Sequence, residues 1–108
     1  ALTAHPKLCF GSDSAPHPQH KKECCGCAAG VFTSPIALAA LAEMFDAHNA
    51  LPNLQKFVSD NARRIYGVSP TTKKVILEKK DGKVPSKYDT VVPYRADDTL
   101  AWSITSIT

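Results

Sequence analysis

A short apolar run that breaks into a long polar loop, two helices after it and short strands at the end predict an α/β fold. That order matches the C-terminal portion of a TIM (β/α)8 barrel, its last strand and following helices, with a small C-terminal β extension. On this reading residues 1–70 form the last β/α unit with its active-site loop, and residues 71–108 form the extension. One parallel strand makes no sheet, so the segment reads as incomplete.

The strand is expected over Lys7 to Ser12, where Leu8-Cys9-Phe10 is followed by Gly11-Ser12-Asp13, a buried strand ending in a polar turn. From Ser14 to Gly30 runs an irregular stretch with two X-Pro steps, three cysteines and two glycines. Loops of that length in compact domains are functional or mobile. Ser34-Pro35 reads as a helix start, since serine caps free amides and proline loses no hydrogen bond at the first helical position. The helix is expected to reach about His48, polar only at Glu43, Asp46 and His48, and a helix so widely apolar belongs inside something larger.

A second, better divided helix places Leu54, Phe57, Val58, Ala62, Ile65 and Tyr66 at three-and-four spacing, with Asn53 to cap its start and Gly67 its end. Val75-Ile76-Leu77 is a short strand, Asp81-Gly82 a turn, and Leu100 to Ile104 a final strand.

Composition excludes several classes of function. The chain has 108 residues, 44% hydrophobic and 21% charged, as in ordinary globular protein. No apolar run approaches the roughly 20 residues that cross a bilayer, and the N-terminus lacks a signal-peptide layout, so a soluble, cytoplasmic location is expected without a membrane partner. The net charge of +3 is dispersed over separate Lys and Arg pairs, which argues against a nucleic-acid partner. Three of the four cysteines crowd into Cys24-Cys25-Gly26-Cys27, where adjacent residues do not easily reach disulfide geometry, so reduced thiols are expected.

The residues that carry chemistry begin at Gly11-Ser12-Asp13-Ser14-Ala15-Pro16-His17-Pro18. An acid and a histidine four positions apart where a strand exits into a loop suit a general base or metal ligand, because they meet solvent and substrate at one rim. Spacing alone leaves a second reading open, a turn in which Asp13 bonds backbone amides and the prolines stiffen the loop.

That octapeptide, followed by Lys22-Glu23, Cys25-Gly26-Cys27-Ala28, Ala29-Gly30-Val31-Phe32 and Pro35, closely resembles the dihydroorotase family of the amidohydrolase superfamily. The resemblance continues through Asn61-Ala62-Arg63-Arg64-Ile65-Tyr66-Gly67 and includes Trp102-Ser103. It implies a TIM barrel with a binuclear zinc centre, reversible cyclisation of N-carbamoyl-L-aspartate to L-dihydroorotate in pyrimidine biosynthesis, and a homodimer. It also implies that Asp13 is the last-strand aspartate, binding the more buried zinc and shuttling a proton between the bridging hydroxide and the ring nitrogen. His17 would face the substrate carboxylate together with the backbone at Ala15 and Ala29.

Two departures stand out. Arg63-Arg64 occupy positions where glycine and proline are common in the family, and the cysteine-rich loop differs enough that Ala28 could replace Ala29 as the substrate contact. The family's remaining zinc ligands have no counterpart in these residues, so the remaining N-terminal part of the enzyme is an expected partner and the chain alone is expected to be inactive.

Two rival readings follow from the same residues. His17, His20, Cys24 and Cys27 could wrap one tetrahedral zinc as a small knuckle-type binding module, although such sites usually separate their ligand pairs by about a dozen residues. Alternatively the helices pair and the final strands add to another chain's sheet edge as an interaction piece.

Overall fold

The computed structural model covers Ala1–Thr108. Its regular elements are α1 (Gln19–Lys22), α2 (Ala37–Ala47), a 3-10 turn at Leu51–Asn53, a π-helical segment at Lys56–Asp60, α3 (Asn61–Tyr66), and strands β1 (Val75–Glu78), β2 (Gly82–Lys83), β3 (Thr99–Leu100) and β4 (Ser103–Ile107).

Alanine- and leucine-rich sequence favours helix at α2, which loses little side-chain freedom on folding. The helix ends at Asn49, whose φ of +52° is a left-handed conformation that asparagine tolerates. Its Ala42 and Phe45 are fully enclosed. Around them lie Ala50 and Leu54, with Leu77 and Trp102 of the C-terminal half packed alongside. A second cluster joins Ile36 and Ala39 to Val84 and Leu100. The core thus spans both the 1–70 and the 71–108 segments, with α2 as the shared element.

The second helix forms as one continuous run over residues 54–66, but its register changes in the middle. In the π segment the Asn61 N–H bonds the Lys56 carbonyl. The Phe57 carbonyl accepts instead from the Phe10 N–H at 2.9 Å. Phe57 also stacks on Phe45 at 5.6 Å and meets Phe10 at 6.0 Å. Gly67 closes the helix at φ +63°, as its sequence position predicts.

Several expectations are corrected here. Residues 7–12 belong to no strand: Lys7 lies in a turn, 8–12 have no regular structure, and Leu8 is 45% exposed. A parallel strand takes its ladder from neighbours on both sides, and no other segment of this chain supplies one. Asn53 does not cap the second helix; its amide donates to the Leu2 carbonyl at 2.7 Å. Ser34 does not cap α2 either. The Asp81-Gly82 turn is not formed, since Gly82 pairs with Leu100 in the antiparallel β2–β3 ribbon. The final strand is interrupted at Ala101 and Trp102, separating β3 from β4, and β4 pairs antiparallel with β1.

Only 10 of 108 residues are buried. The accessible surface of 7168 Å² exceeds the ~5,800 Å² expected for a folded monomer of this mass. The radius of gyration, 15.4 Å, likewise exceeds the ~13 Å of a compact chain this long. Apolar residues are abundant, and many of them remain uncovered within this chain.

Candidate active-site loop

The motif enters the site on a peptide strapped to the second helix. Asn61, 6% exposed, donates through its side-chain amide to the carbonyls of His5 (3.0 Å) and Leu8 (2.8 Å). Arg64 donates to the Pro6 carbonyl beside it. Together with the Phe10–Phe57 bond, these contacts hold the backbone just ahead of Gly11 in a single path.

Beyond Gly11 the chain crosses to the start of α2. The Ser14 hydroxyl accepts from the N–H groups of Thr33 and Ser34, each at 3.0 Å. These two amides lie in the segment that leads into α2, ahead of its first turn, and Ser14 reaches them from about twenty residues away. The Ala15 N–H donates to the Val31 carbonyl at 2.9 Å. Approach is close enough that a Cβ on Gly30 would lie 2.5 Å from the Ala15 Cβ, and Gly30 itself has φ +90°. Glycine is required there on both grounds.

Ala15 is therefore brought against Ala29-Gly30, with Asp13 two residues before it and His17 two after. Asp13 is exposed and left-handed at φ +46°, a conformation in which aspartate is enriched among non-glycine residues. Its carboxylate has no hydrogen-bonding or ionic partner within the chain. The Nδ1 of His17 is shielded from solvent yet also unpartnered, as is the Thr33 hydroxyl. A shielded ring nitrogen without a partner is costly unless something else bonds it.

The far side of the loop is held by Lys22 at the end of α1, whose ammonium donates to the carbonyls of Ala29 (3.2 Å) and Gly30 (2.5 Å). The Ala28 N–H is taken by the Lys21 carbonyl at 2.9 Å, whereas the Ala29 N–H has no protein acceptor. Of the two alanines, Ala29 is the one with an amide to offer. Ala15, by contrast, has spent its N–H on Val31 and presents only its carbonyl and methyl.

His20 lies exposed, in keeping with a solvated residue. The knuckle grouping is not formed: nowhere do three or more His, Cys, Asp or Glu residues gather where they could hold one metal ion. Cys24, Cys25 and Cys27 are exposed free thiols; Cys24 reaches only the Lys21 carbonyl, at 3.5 Å. A zinc centre needs three or four protein ligands. Asp13 is chemically suited to be one, so the others would have to come from outside these residues.

The polar residues of α2 have a structural use that their sequence positions do not disclose. Glu43 accepts from Arg95 (2.7 Å) and from the Ala101 N–H (2.6 Å). Arg95 in turn donates to Asp98 at 2.7 Å. Asp46 accepts from the Trp102 indole at 3.2 Å and pairs with Lys79 at 2.7 Å. The Ala101 amide and Arg95 hold the Glu43 carboxyl below its ordinary range. Lys79 and Trp102 do the same for Asp46. Arg95 sits at a constrained corner, with a left-handed φ of +58°.

The chain is 48% identical to a dihydroorotase of Helicobacter acinonychis, with 99% of the chain matching 33% of that protein. It is 43% identical to a dihydroorotase of Halorhodospira halophila over 96% of the chain and 31% of that protein. Among solved structures, dihydroorotase of Campylobacter jejuni superposes with a TM-score of 0.82 at 43% identity, covering 98% of this chain and 31% of that one. A Saccharomyces cerevisiae dihydroorotase solved with 5-fluoroorotic acid superposes with a TM-score of 0.89 at 36% identity, covering 96% and 31%. No family model matches the chain. The chain spans about a third of the length of the relatives it matches. Agreement of sequence and backbone over nearly its whole length identifies the chain as a C-terminal segment of the dihydroorotase family.

Proposed function

We propose that this chain supplies one rim of the active site of a dihydroorotase, interconverting N-carbamoyl-L-aspartate and L-dihydroorotate in pyrimidine biosynthesis. The observation that carries the proposal is the Ser14 and Ala15 stitch to Val31–Ser34. It gathers an unpaired carboxylate, an unpartnered imidazole nitrogen and the free Ala29 amide on one loop system. The yeast relative was solved with a pyrimidine carboxylate, which supports a ligand of that chemistry for this chain.

In this reading residues 7–12 are the last strand of a TIM barrel completed by the remaining two thirds of the enzyme, with Asp13 at its exit. Asp13 would be one oxygen ligand of a zinc centre whose other ligands lie outside these residues, and the metal would supply Lewis acidity to activate water and polarise the scissile carbonyl. The Asp13 carboxylate works as the base. In hydrolysis it takes a proton from the attacking water. As the ring C–N bond breaks, it returns that proton to the departing nitrogen, and ring closure retraces the path. His17 and the Ala29 amide bind the substrate carboxylate and orient the ring, while Ala15 sets the wall against which it lies.

The test is complementation. This chain, mixed with the N-terminal two thirds of the Helicobacter acinonychis relative and zinc, is expected to give dihydroorotate turnover that neither piece shows alone and that a chelator removes. Association without turnover in the presence of zinc would sink the proposal.

A further inference from the structure

The largest concavity of the molecule is not at the loop. It is an open groove of about 800 Å³ between the second helix and the face of β1. Leu38, Leu51, Leu54, Val58 and Leu77 make its floor, and Val75, 44% exposed, continues that floor along β1. Lys73 and Lys74 stand over one wall without an ion-pair partner, and Arg63 over the other with a single contact to Asp60 at 3.5 Å. An apolar floor under a cationic rim is half of an interface, because exposed aliphatic side chains gain by being covered and lysines by meeting acids.

We infer that this groove receives an acidic amphipathic helix from the other two thirds of the dihydroorotase polypeptide, an inference that rests on the proposed function. Three observations select that occupant. The relatives are three times the length of this chain, so most of their polypeptide lies outside it. The groove is walled by a helix on one side and by a sheet face, not a sheet edge, on the other. An added strand would bond an edge and leave the cavity empty, whereas a helix packs against both a helix and a sheet face. Finally, the unpaired cations sit at the rim, where acids flanking an apolar stripe would lie.

The experiment combines this chain with the N-terminal two thirds of the Helicobacter acinonychis relative and applies a carbodiimide, which joins lysine ammonium groups to nearby carboxylates. Lys73 or Lys74 is expected to couple to an Asp or Glu in a helix of the partner. Lys73→Glu with Lys74→Glu, both at exposed positions, is expected to weaken association about tenfold at low salt and much less at high salt. Val58→Asp is expected to weaken it about a hundredfold at any salt, with circular dichroism of the free chain as the check on folding. Coupling into a strand, or between two copies of this chain, would overturn the helix assignment. So would a complex that restores turnover yet ignores all three substitutions, and that outcome leaves the proposed function standing. Failure of the two pieces to associate would overturn both.

Discussion

The active-site loop and the seam between α2 and the C-terminal extension are built on opposite plans. In the seam almost every charge is paired: Glu43 with Arg95, Arg95 with Asp98, Asp46 with Lys79 and the Trp102 indole. In the loop, backbone amides, the Ser14 hydroxyl and the Lys22 ammonium fasten the backbone without an ion pair, while Asp13 and the Nδ1 of His17 are left with no protein partner. Paired charges restrain structure, and polar groups held in place but unpaired are where chemistry is done. On the proposed function, the contrast separates residues that hold the molecule together from residues left free for a substrate.

Substitutions on the two sides should therefore fail differently. Asp13→Ala is expected to lower turnover of the complemented enzyme about 10³-fold, equivalent to about 4 kcal/mol of transition-state stabilisation, with an unchanged urea midpoint. Near-normal turnover would erase the distinction drawn for the loop. Phe45→Ala, at the fully enclosed centre of α2, is expected to cost about 3 kcal/mol in urea unfolding. Little change would mean that the seam is not supported by that core. His17→Ala is expected to raise KM about tenfold with kcat nearly constant, the signature of uniform binding; an unchanged KM would remove His17 from the substrate contacts.

Glu43→Gln keeps the shape of the side chain but removes its charge. It is expected to cost about 1 kcal/mol, because the pair is partly screened by solvent. The same seam predicts an acid response. Glu43, Asp46 and Asp98 are all held below the ordinary carboxylate range by the donors that face them. Their contribution is complete above that range and is lost as the pH falls through the lowered folded-state values. The chain's single tryptophan, Trp102, reads this directly. Its emission is expected to shift as the seam protonates, and the shift should begin at higher pH in Glu43→Gln.

Much of this was legible beforehand in particular residues. The span of α2 is nearly as the alanine- and leucine-rich run predicts, and Gly67 ends the second helix where its position says it should. Local steric and entropic preferences settle such features. The caps were not legible in the same way. Ser34 and Asn53 have the right residue types at the right places, yet α2 starts without a side-chain cap, Ser14 fastens the segment ahead of it, and Asn53 serves the N-terminal segment. A hydroxyl or amide can meet any orphan group in reach, and which one is in reach is a property of the folded chain.

The candidate site divides along the same line. The order Gly11 to Pro18 placed Asp13 and His17 near each other because they are close along the chain, and it marked the loop after Pro18 as more than a linker. Three features depended on long-range contacts: the choice of Ala29 over Ala28 as the free amide, the close fit of Gly30 on Ala15, and the anchoring of the extension by Glu43 and Asp46. Sequence alone determined the approximate course of the two longer helices, the left-handed glycine stop and the motif, since steric preference and covalent neighbourhood act within a few residues, whereas the short α1 at Gln19–Lys22 lies in a stretch read as irregular. Only the tertiary structure decided which donors meet which acceptors, because a hydrogen bond forms between groups that packing has brought within about 3 Å, however far apart they lie along the chain.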